Sequence, residues 1–281
     1  IFRLEGVNRH LLPLVRRHGW TTVREISAAT GCGTGCGSCR PYLTAMLATG
    51  SAQAAEAGKP ASPATIAEQQ KMRASLPPDD GRDEEFVHRG FIATTKDALI
   101  RAADGRVVWD NGLLDFVAGE APPTVNPSLW RQMKLLRVHG LFKVADGVYQ
   151  VRNLDGSNLT LVQGSTGWIV IDPLMAVENA KAAIGLVEEH LGKRPVSAVI
   201  YTHSHPDHFG GVRAFVGADA SPPIIAPEHF VEETVAEYVI AGNAMGRRAG
   251  YQFGATLPLN SQGYVGGGIV LADACDELLA F

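Results

Sequence analysis

Three histidines and an aspartate fall within six residues in Thr202-His203-Ser204-His205-Pro206-Asp207-His208, and Phe209-Gly210-Gly211 follows. Imidazole and carboxylate are ligands that zinc takes in catalytic sites, where one coordination position stays open for water. In extended backbone, side chains two residues apart share a side, so His203, His205 and Asp207 can converge on one point. His208 lies one step out of phase and faces a second point as the chain turns through Gly210-Gly211. Two ligand sets side by side suit two adjacent metals. The competing reading, a solvated loop rich in histidine, leaves the spacing without a reason.

A second cluster of chemistry-bearing residues is Cys32, Cys36 and Cys39 in Gly31-Cys32-Gly33-Thr34-Gly35-Cys36-Gly37-Ser38-Cys39, with Cys275 far away. One distant partner does not make a disulfide framework, so the cluster reads as metal or iron–sulfur ligation if it functions. The interleaved glycines let backbone wrap closely round a cluster. Its C-x3-C-x2-C spacing also occurs in radical-SAM enzymes, but no β/α-barrel pattern follows.

The elements that must position these residues can be read in outline. Val196–Tyr201, just before the histidine motif, is β-branched and too short for a core helix, so it predicts a buried strand. Upstream, Val177–Leu191 carries Ala180, Ile184, Val187 and Leu191 on one helical stripe. Gly147–Leu154, Ser157–Val162, Gly167–Asp172 and Arg106–Trp109 read as strands joined by Gly, Asn, Asp and Ser turns. Asn126-Pro127 predicts a helix to about Val138, with Gly140 as terminator. Strand, strand, helix, strand, ligand loop, helix is a layered α/β order. Asp172 ends a strand beside the motif strand, where it either supports the ligand loop or forms an ordinary turn.

Near the N-terminus, Leu11–Trp20, Thr22–Ala28 and Tyr42–Ala48 have helical spacing around the cysteine loop. Residues 49–65 have the small-residue and proline composition of a linker. Thr65–Leu76 predicts a short solvated helix, which Pro77-Pro78-Asp79-Asp80-Gly81 ends. The boundary is expected within 50–85, giving a helical segment 1–50, a linker 51–85 and an α/β domain 86–281. The 281 residues are 46% hydrophobic and 19% charged, enough apolar material for a core. A net charge of −4 carries no polybasic bias toward nucleic acid or anionic membrane. No apolar run reaches the ~18 residues that span a bilayer. The first residue is Ile1 and no signal-peptide pattern leads the chain, which reads as a fragment or a processed form.

Longer stretches carry a resemblance. The H-x-H-x-D-H motif resembles the signature of the metallo-β-lactamase superfamily. Within it, residues 86–271 resemble the zinc-dependent alkyl sulfatases of the linear alkylsulfatase group. The matching stretches are His88–Ala93, Thr124–Gln132, His139–Phe142, Asp146–Arg152, Gly167–Leu174, Tyr201–Phe215 and Val239–Arg248. The resemblance implies an α/β fold, the αββα sandwich of that superfamily, of which this chain carries the N-terminal half. It implies that His203 and His205 hold one Zn²⁺ and Asp207 and His208 the other. A hydroxide between the metals would be the nucleophile, oriented by Asp207. The substrate implied is a linear alkyl sulfate, hydrolysed to alcohol and sulfate, and a homodimer comes with the same resemblance. Asn243, Arg247, Arg248 and Tyr251 are the local candidates for gripping the sulfate, set against a plain helix-surface role.

Two departures accompany it. The family draws two glutamates and a histidine from well downstream, and only His229 lies beyond His208, where it reads as a surface histidine at a helix start. Residues 30–41 resemble the second half of small [2Fe–2S] domains of the bacterioferritin-associated-ferredoxin type. That family's first cysteine pair would fall near Phe2 and Leu4, which leaves three thiols, Cys32, Cys36 and Cys39, where four are needed. A cluster-bearing segment and a remnant without a cluster both fit. Three functions are therefore expected in competition: an alkyl sulfatase, a catalytically incomplete piece of one, and an iron–sulfur electron-transfer protein. Iron–sulfur ligation points to the cytoplasm and relatives of the sulfatase part to export, so the compartment stays open.

Overall fold

The structure, a computed structural model, describes residues 15, 19–30, 43, 47, 60–97, 99–105, 107–217, 221–254, 257 and 259–268. Cys32, Cys36, Cys39 and Cys275 lie outside the described residues, as do Phe2 and Leu4.

The centre is a seven-stranded sheet in the order β1-β4-β5-β6-β7-β8-β9. Its strands are β1 (Phe91–Ala93), β4 (Gly140–Ala145), β5 (Val148–Arg152), β6 (Leu159–Gln163), β7 (Trp168–Ile171), β8 (Val196–Ile200) and β9 (Ile224–Ile225). From β1 to β7 neighbours run antiparallel, while β7, β8 and β9 are parallel. The parallel step needs a crossover, and the helix Val177–Leu191 supplies it over the span its apolar stripe predicts. Alternation sets which face that helix covers. Leu159, Leu161, Trp168 and Val170 are buried, whereas Thr160, Val162, Ile169 and Ile171 on the opposite face are only half-buried. The first set packs with Ala180, Ala183, Leu186 and Val187 of the helix in one core.

A second core lies beyond that helix. The hairpin of β2 (Leu99–Arg101) and β3 (Val107–Asp110) joins the helix Pro127–Leu136 through Ile100, Trp109, Leu114, Trp130 and Met133, and Val265 closes it. Asn126 caps that helix as expected, its side chain accepting from the backbone N–H groups of Ser128 and Leu129. Gly140 does not terminate the helix, which ends at Leu136. It opens β4 instead, with φ of 134°, and a Cβ there would collide with the Ala93 carbonyl across the sheet.

The helices in chain order are α1 (Val23–Thr30), α2 (Pro63–Ser75), α3 (Arg82–His88), α4 (Pro127–Leu136), α5 (Val177–Leu191), α6 (Phe230–Val235) and α7 (Gly242–Phe253). Between α6 and α7 one π-helical turn spans Ala236–Ile240. The helix expected after the ligand loop is instead two short 3₁₀ turns, Pro206–His208 and Gly210–Ala214. Helix α3 and strand β9 had no clear sequence signal: α3 is mostly charged, and β9 is two residues long.

Candidate metal centre

Parallel pairing of β7 with β8, Ile171 opposite Ile200, brings their C-terminal ends side by side, where open α/β sheets place ligands. Asp172 leaves β7 there with φ of 55°, a left-handed turn that aims its carboxylate across to the chain leaving β8. It accepts hydrogen bonds from the Thr202 backbone N–H at 2.8 Å, the Thr202 hydroxyl at 2.7 Å and His208 Nδ1 at 2.8 Å. Of the two sequence readings for Asp172, the loop-supporting one matches this geometry.

The three motif imidazoles gather beside it. Ring centroids are 4.6 Å apart for His203 and His205 and 4.0 Å for His203 and His208. Extended-chain counting had sent His208 to a separate point. The 3₁₀ turn at Pro206–His208 folds it back onto His203 and sets its Nε2 3.2 Å from Asp207 Oδ2.

The oxygen partners assign the tautomers. A carboxylate only accepts, so His208 donates through Nδ1 to Asp172; His205 Nε2 lies 3.5 Å from Glu237 Oε2. The Thr202 hydroxyl has already given its hydrogen to Asp172, so at 3.0 Å it accepts from His203 Nδ1. That leaves His203 Nε2 and His205 Nδ1 available to a cation, while His208 Nε2, 3.2 Å from Asp207 Oδ2, carries a proton toward that carboxylate which a cation would displace.

Electrostatics agree. Burial lowers the His203 pKa, and its neighbours His208 and His205 lower it further, which keeps the ring neutral. Burial also pulls His208 down, but its hydrogen bonds to Asp172 and Asp207 prevail and lift it to about 9. Burial would raise the Asp172 and Asp207 carboxyls, yet bonding to His208 holds both below the usual carboxylate range. The charge these groups balance with a proton is one a divalent cation can supply. In donor chemistry the residues therefore fit a metal such as zinc. Among the described residues, however, no three His, Cys, Asp or Glu side chains close round one point as a finished site.

Several residues that brace the loop carried no sequence signal of their own. The Ser157 hydroxyl donates to the Asp207 carbonyl. Asp155, two residues earlier, accepts from Met175 N at 3.2 Å, Ala176 N at 3.1 Å and Asn179 Nδ2 at 2.9 Å, tying that turn to the start of α5. Gly210 and Gly211 lie so close to the Met175 and Pro173 carbonyls that a Cβ on either would collide with backbone. Phe230, Thr234, Glu237 and Tyr238 had gone unnoticed because a helix face acquires meaning only once its counterpart is known.

The remaining candidates are less central. Asn243, Arg247, Arg248 and Tyr251 all fall on α7 and are exposed, Tyr251 by 91%. Arg248 lies near enough to the loop to oppose the upward shift that burial and then Glu237 and Asp207 impose on the Tyr238 phenol. His229 is exposed at the start of α6, 3.7 Å from Glu228, as its sequence position suggests.

Comparison with known proteins bears on both ends of the chain. Residues 152–269 match the model of the metallo-β-lactamase superfamily, and residues 10–49 that of the BFD-like [2Fe–2S] binding domain. The chain is 47% identical to a linear primary-alkylsulfatase of Pseudomonas sp. over 230 residues, 80% of this chain and 34% of that protein. It is 46% identical to an alkyl/aryl-sulfatase of Saccharomyces cerevisiae, covering 75% of this chain and 33% of the relative. Among solved structures, the stereoselective inverting sec-alkylsulfatase Pisa1 from Pseudomonas sp. superposes with a TM-score of 0.70 at 41% identity. That match covers 76% of this chain and 34% of the other. The α/β arrangement is thus part of a metallo-β-lactamase-type fold, and the chain spans about a third of the length of the relatives it matches.

Proposed function

We propose that this chain, matched to the metallo-β-lactamase superfamily over residues 152–269 and similar along four-fifths of its length to an alkylsulfatase, is the metal-binding part of a zinc-dependent alkyl sulfatase. One observation carries the reading: three imidazoles and Asp207 stand together at the ends of two parallel strands, with an oxygen hydrogen-bonded to each of His203 Nδ1 and His208 Nδ1 and another 3.5 Å from His205 Nε2. Bound metal would supply Lewis-acid polarisation and a water acidic enough to attack at neutral pH. His203 and His205 would hold one ion, Asp207 and His208 the other. Asp207 would also orient the attacking water, and Asp172 and Thr202 would keep the rings aimed. Water is consumed as the sulfate ester is cut, and an alcohol and inorganic sulfate leave. Asn243, Arg247, Arg248 and Tyr251, exposed on α7, would meet the anionic sulfate.

The test is metal content of the purified chain, measured by elemental analysis, together with sulfate release from dodecyl sulfate. Two zincs per chain with sulfate released supports a working sulfatase. One zinc without turnover supports a ligand set completed by residues outside this chain. No zinc at all rejects the reading.

A second reading applies to the other end of the chain, where the match over residues 10–49 favours an iron–sulfur site on Cys32, Cys36 and Cys39. Three thiols require a fourth ligand from elsewhere. Visible absorption after anaerobic reconstitution with iron and sulfide would support it, and a colourless product would leave a remnant. The division into 1–50, 51–85 and 86–281, and a homodimer checked by sedimentation, belong to the same proposal. Among the described residues, no helix is long and apolar enough to cross a membrane.

A further inference from the structure

The segment after His229 lies against the ligand loop along one face. Phe230 packs on Tyr201 and Phe209, with ring centroids 5.3 and 5.1 Å apart. The Thr234 hydroxyl is 3.4 Å from the Ser204 carbonyl. Glu237 Oε2 is 3.5 Å from His205 Nε2, and Tyr238 stands edge-on to the His205 ring at 6.0 Å and 87°. Positions 230, 234, 237 and 238 follow one helical stripe. Val231, Val235 and Val239, between them, face solvent.

The π-helical turn at Ala236–Ile240 has a consequence for that stripe. One wide turn inserted in a helix shifts the register of everything after it, and such turns are frequent at functional sites. Here it carries Glu237 and Tyr238, the two side chains that reach His205. His205 is the only motif histidine whose ring Asp172 and Thr202 do not hold. Its side chain is also the most open of those paired with a carboxylate in the cluster, 47% exposed against 22% for His208. A ring so exposed, with no partner on Nε2, would exchange tautomers and rotamers freely, and Nδ1 would face the cluster only part of the time.

We infer that Glu237 is a positioning residue for the metal centre: it holds the proton on His205 Nε2 and so keeps Nδ1 presented as the donor nitrogen, with Tyr238 bracing the ring. The inference rests on the zinc reading for its consequence, but the tautomer it assigns belongs to the protein without metal. Partners of this kind on metal-bound histidines commonly change metal affinity ~10–100-fold when removed.

The experiment uses the full chain and two variants, E237A and E237Q, with two readouts. Long-range proton–nitrogen NMR of the metal-free protein reports which ring nitrogen of His205 carries hydrogen. Competition against a chromophoric chelator reports zinc affinity. The expected result is an Nε2–H tautomer in the wild type and a mixture in E237A, with zinc bound about tenfold or more weakly. E237Q should recover much of both, since its amide oxygen can still accept. Far-ultraviolet circular dichroism separates a misfolded variant, and E237Q then stands as the readable substitution. An Nδ1–H tautomer in the wild type overturns the proposal, and so does an E237A variant with unchanged tautomer and zinc affinity. A wild type with the Nε2–H tautomer that E237A loses, yet without zinc binding, upholds the positioning role and rejects the zinc reading instead.

Discussion

Asp172 takes three hydrogen bonds on one carboxylate, two from Thr202 and one from His208, in a left-handed backbone conformation that asparagine also tolerates. Asp172→Asn therefore removes charge and one acceptor while keeping shape and φ. We expect zinc affinity about 10–100-fold lower, measured by competition titration, because an amide NH₂ facing His208 Nδ1 favours the wrong tautomer. The same substitution tests the electrostatics. In the metal-free chain, against the opposing pull of burial, Asp172 and Asp207 push His208 up to about 9, above its ordinary value. A raised folded-state pKa contributes stability that is fully present below ~6.5 and is lost as pH rises through about 9. Urea melts of chelator-treated protein should show this loss on going from pH 6.5 to pH 9.5. Asp172→Asn should flatten that slope, and an unchanged slope would assign it to other groups. The candidate ligand residues were legible in sequence because metal chemistry restricts residue type and spacing so tightly. Glu237 was not, since a glutamate on a half-exposed helix has many ordinary reasons to be there.

Elements matter here through how closely they approach. The strands β5 to β8 and helix α5 follow from period-two and helical apolar patterns, and their ends fall within two or three residues of expectation. The 3₁₀ turns after β8 do not follow from such patterns, being set by contact with the Pro173–Ala176 backbone rather than by their own propensity. Gly211 makes this testable. Its N–H bonds the Leu174 carbonyl at 2.8 Å, and an added Cβ would meet the Pro173 carbonyl at 2.3 Å and Ala180 Cβ at 2.9 Å. Gly211→Ala must push the turn off α5 and drag the ligand loop with it, so both melting temperature and zinc affinity should fall. Gly185, on the exposed side of α5, has nothing within 4 Å of an added Cβ. Gly185→Ala should raise stability by about 0.5–1 kcal/mol and leave zinc binding untouched. If the two glycines respond alike, close packing is not what defines the loop.

At the scale of the whole molecule, cohesion is uneven, and that bears on where the chain divides. Helices α2 and α3 contain no buried residue. They are held by Arg73, which reaches Glu120 at 3.1 Å and the Ala121 carbonyl at 2.7 Å, and by Arg131, which reaches Asp83 at 2.6 Å and Asp79 at 3.3 Å. The Arg131 side chain is 40% exposed and those of Asp79 and Asp83 more so. Exposed pairs of this kind contribute about 0–1 kcal/mol each and weaken as salt shortens the screening length. The sheet and α5, by contrast, share a continuous apolar core. Composition alone marks residues 50–85 as the boundary region but cannot show that its second half docks by charge. Hydrogen exchange should therefore find the α2 and α3 amides opening at a small fraction of the free energy that protects β6 and β7. Arg131→Ala should cost less than about 1 kcal/mol globally while speeding exchange in α3 alone. Trypsin should cut at Arg82 before any site in the sheet, and faster at high salt. Equal protection of α2 and β6 would instead make residues 60–268 one cooperative unit and move the boundary upstream of Pro60.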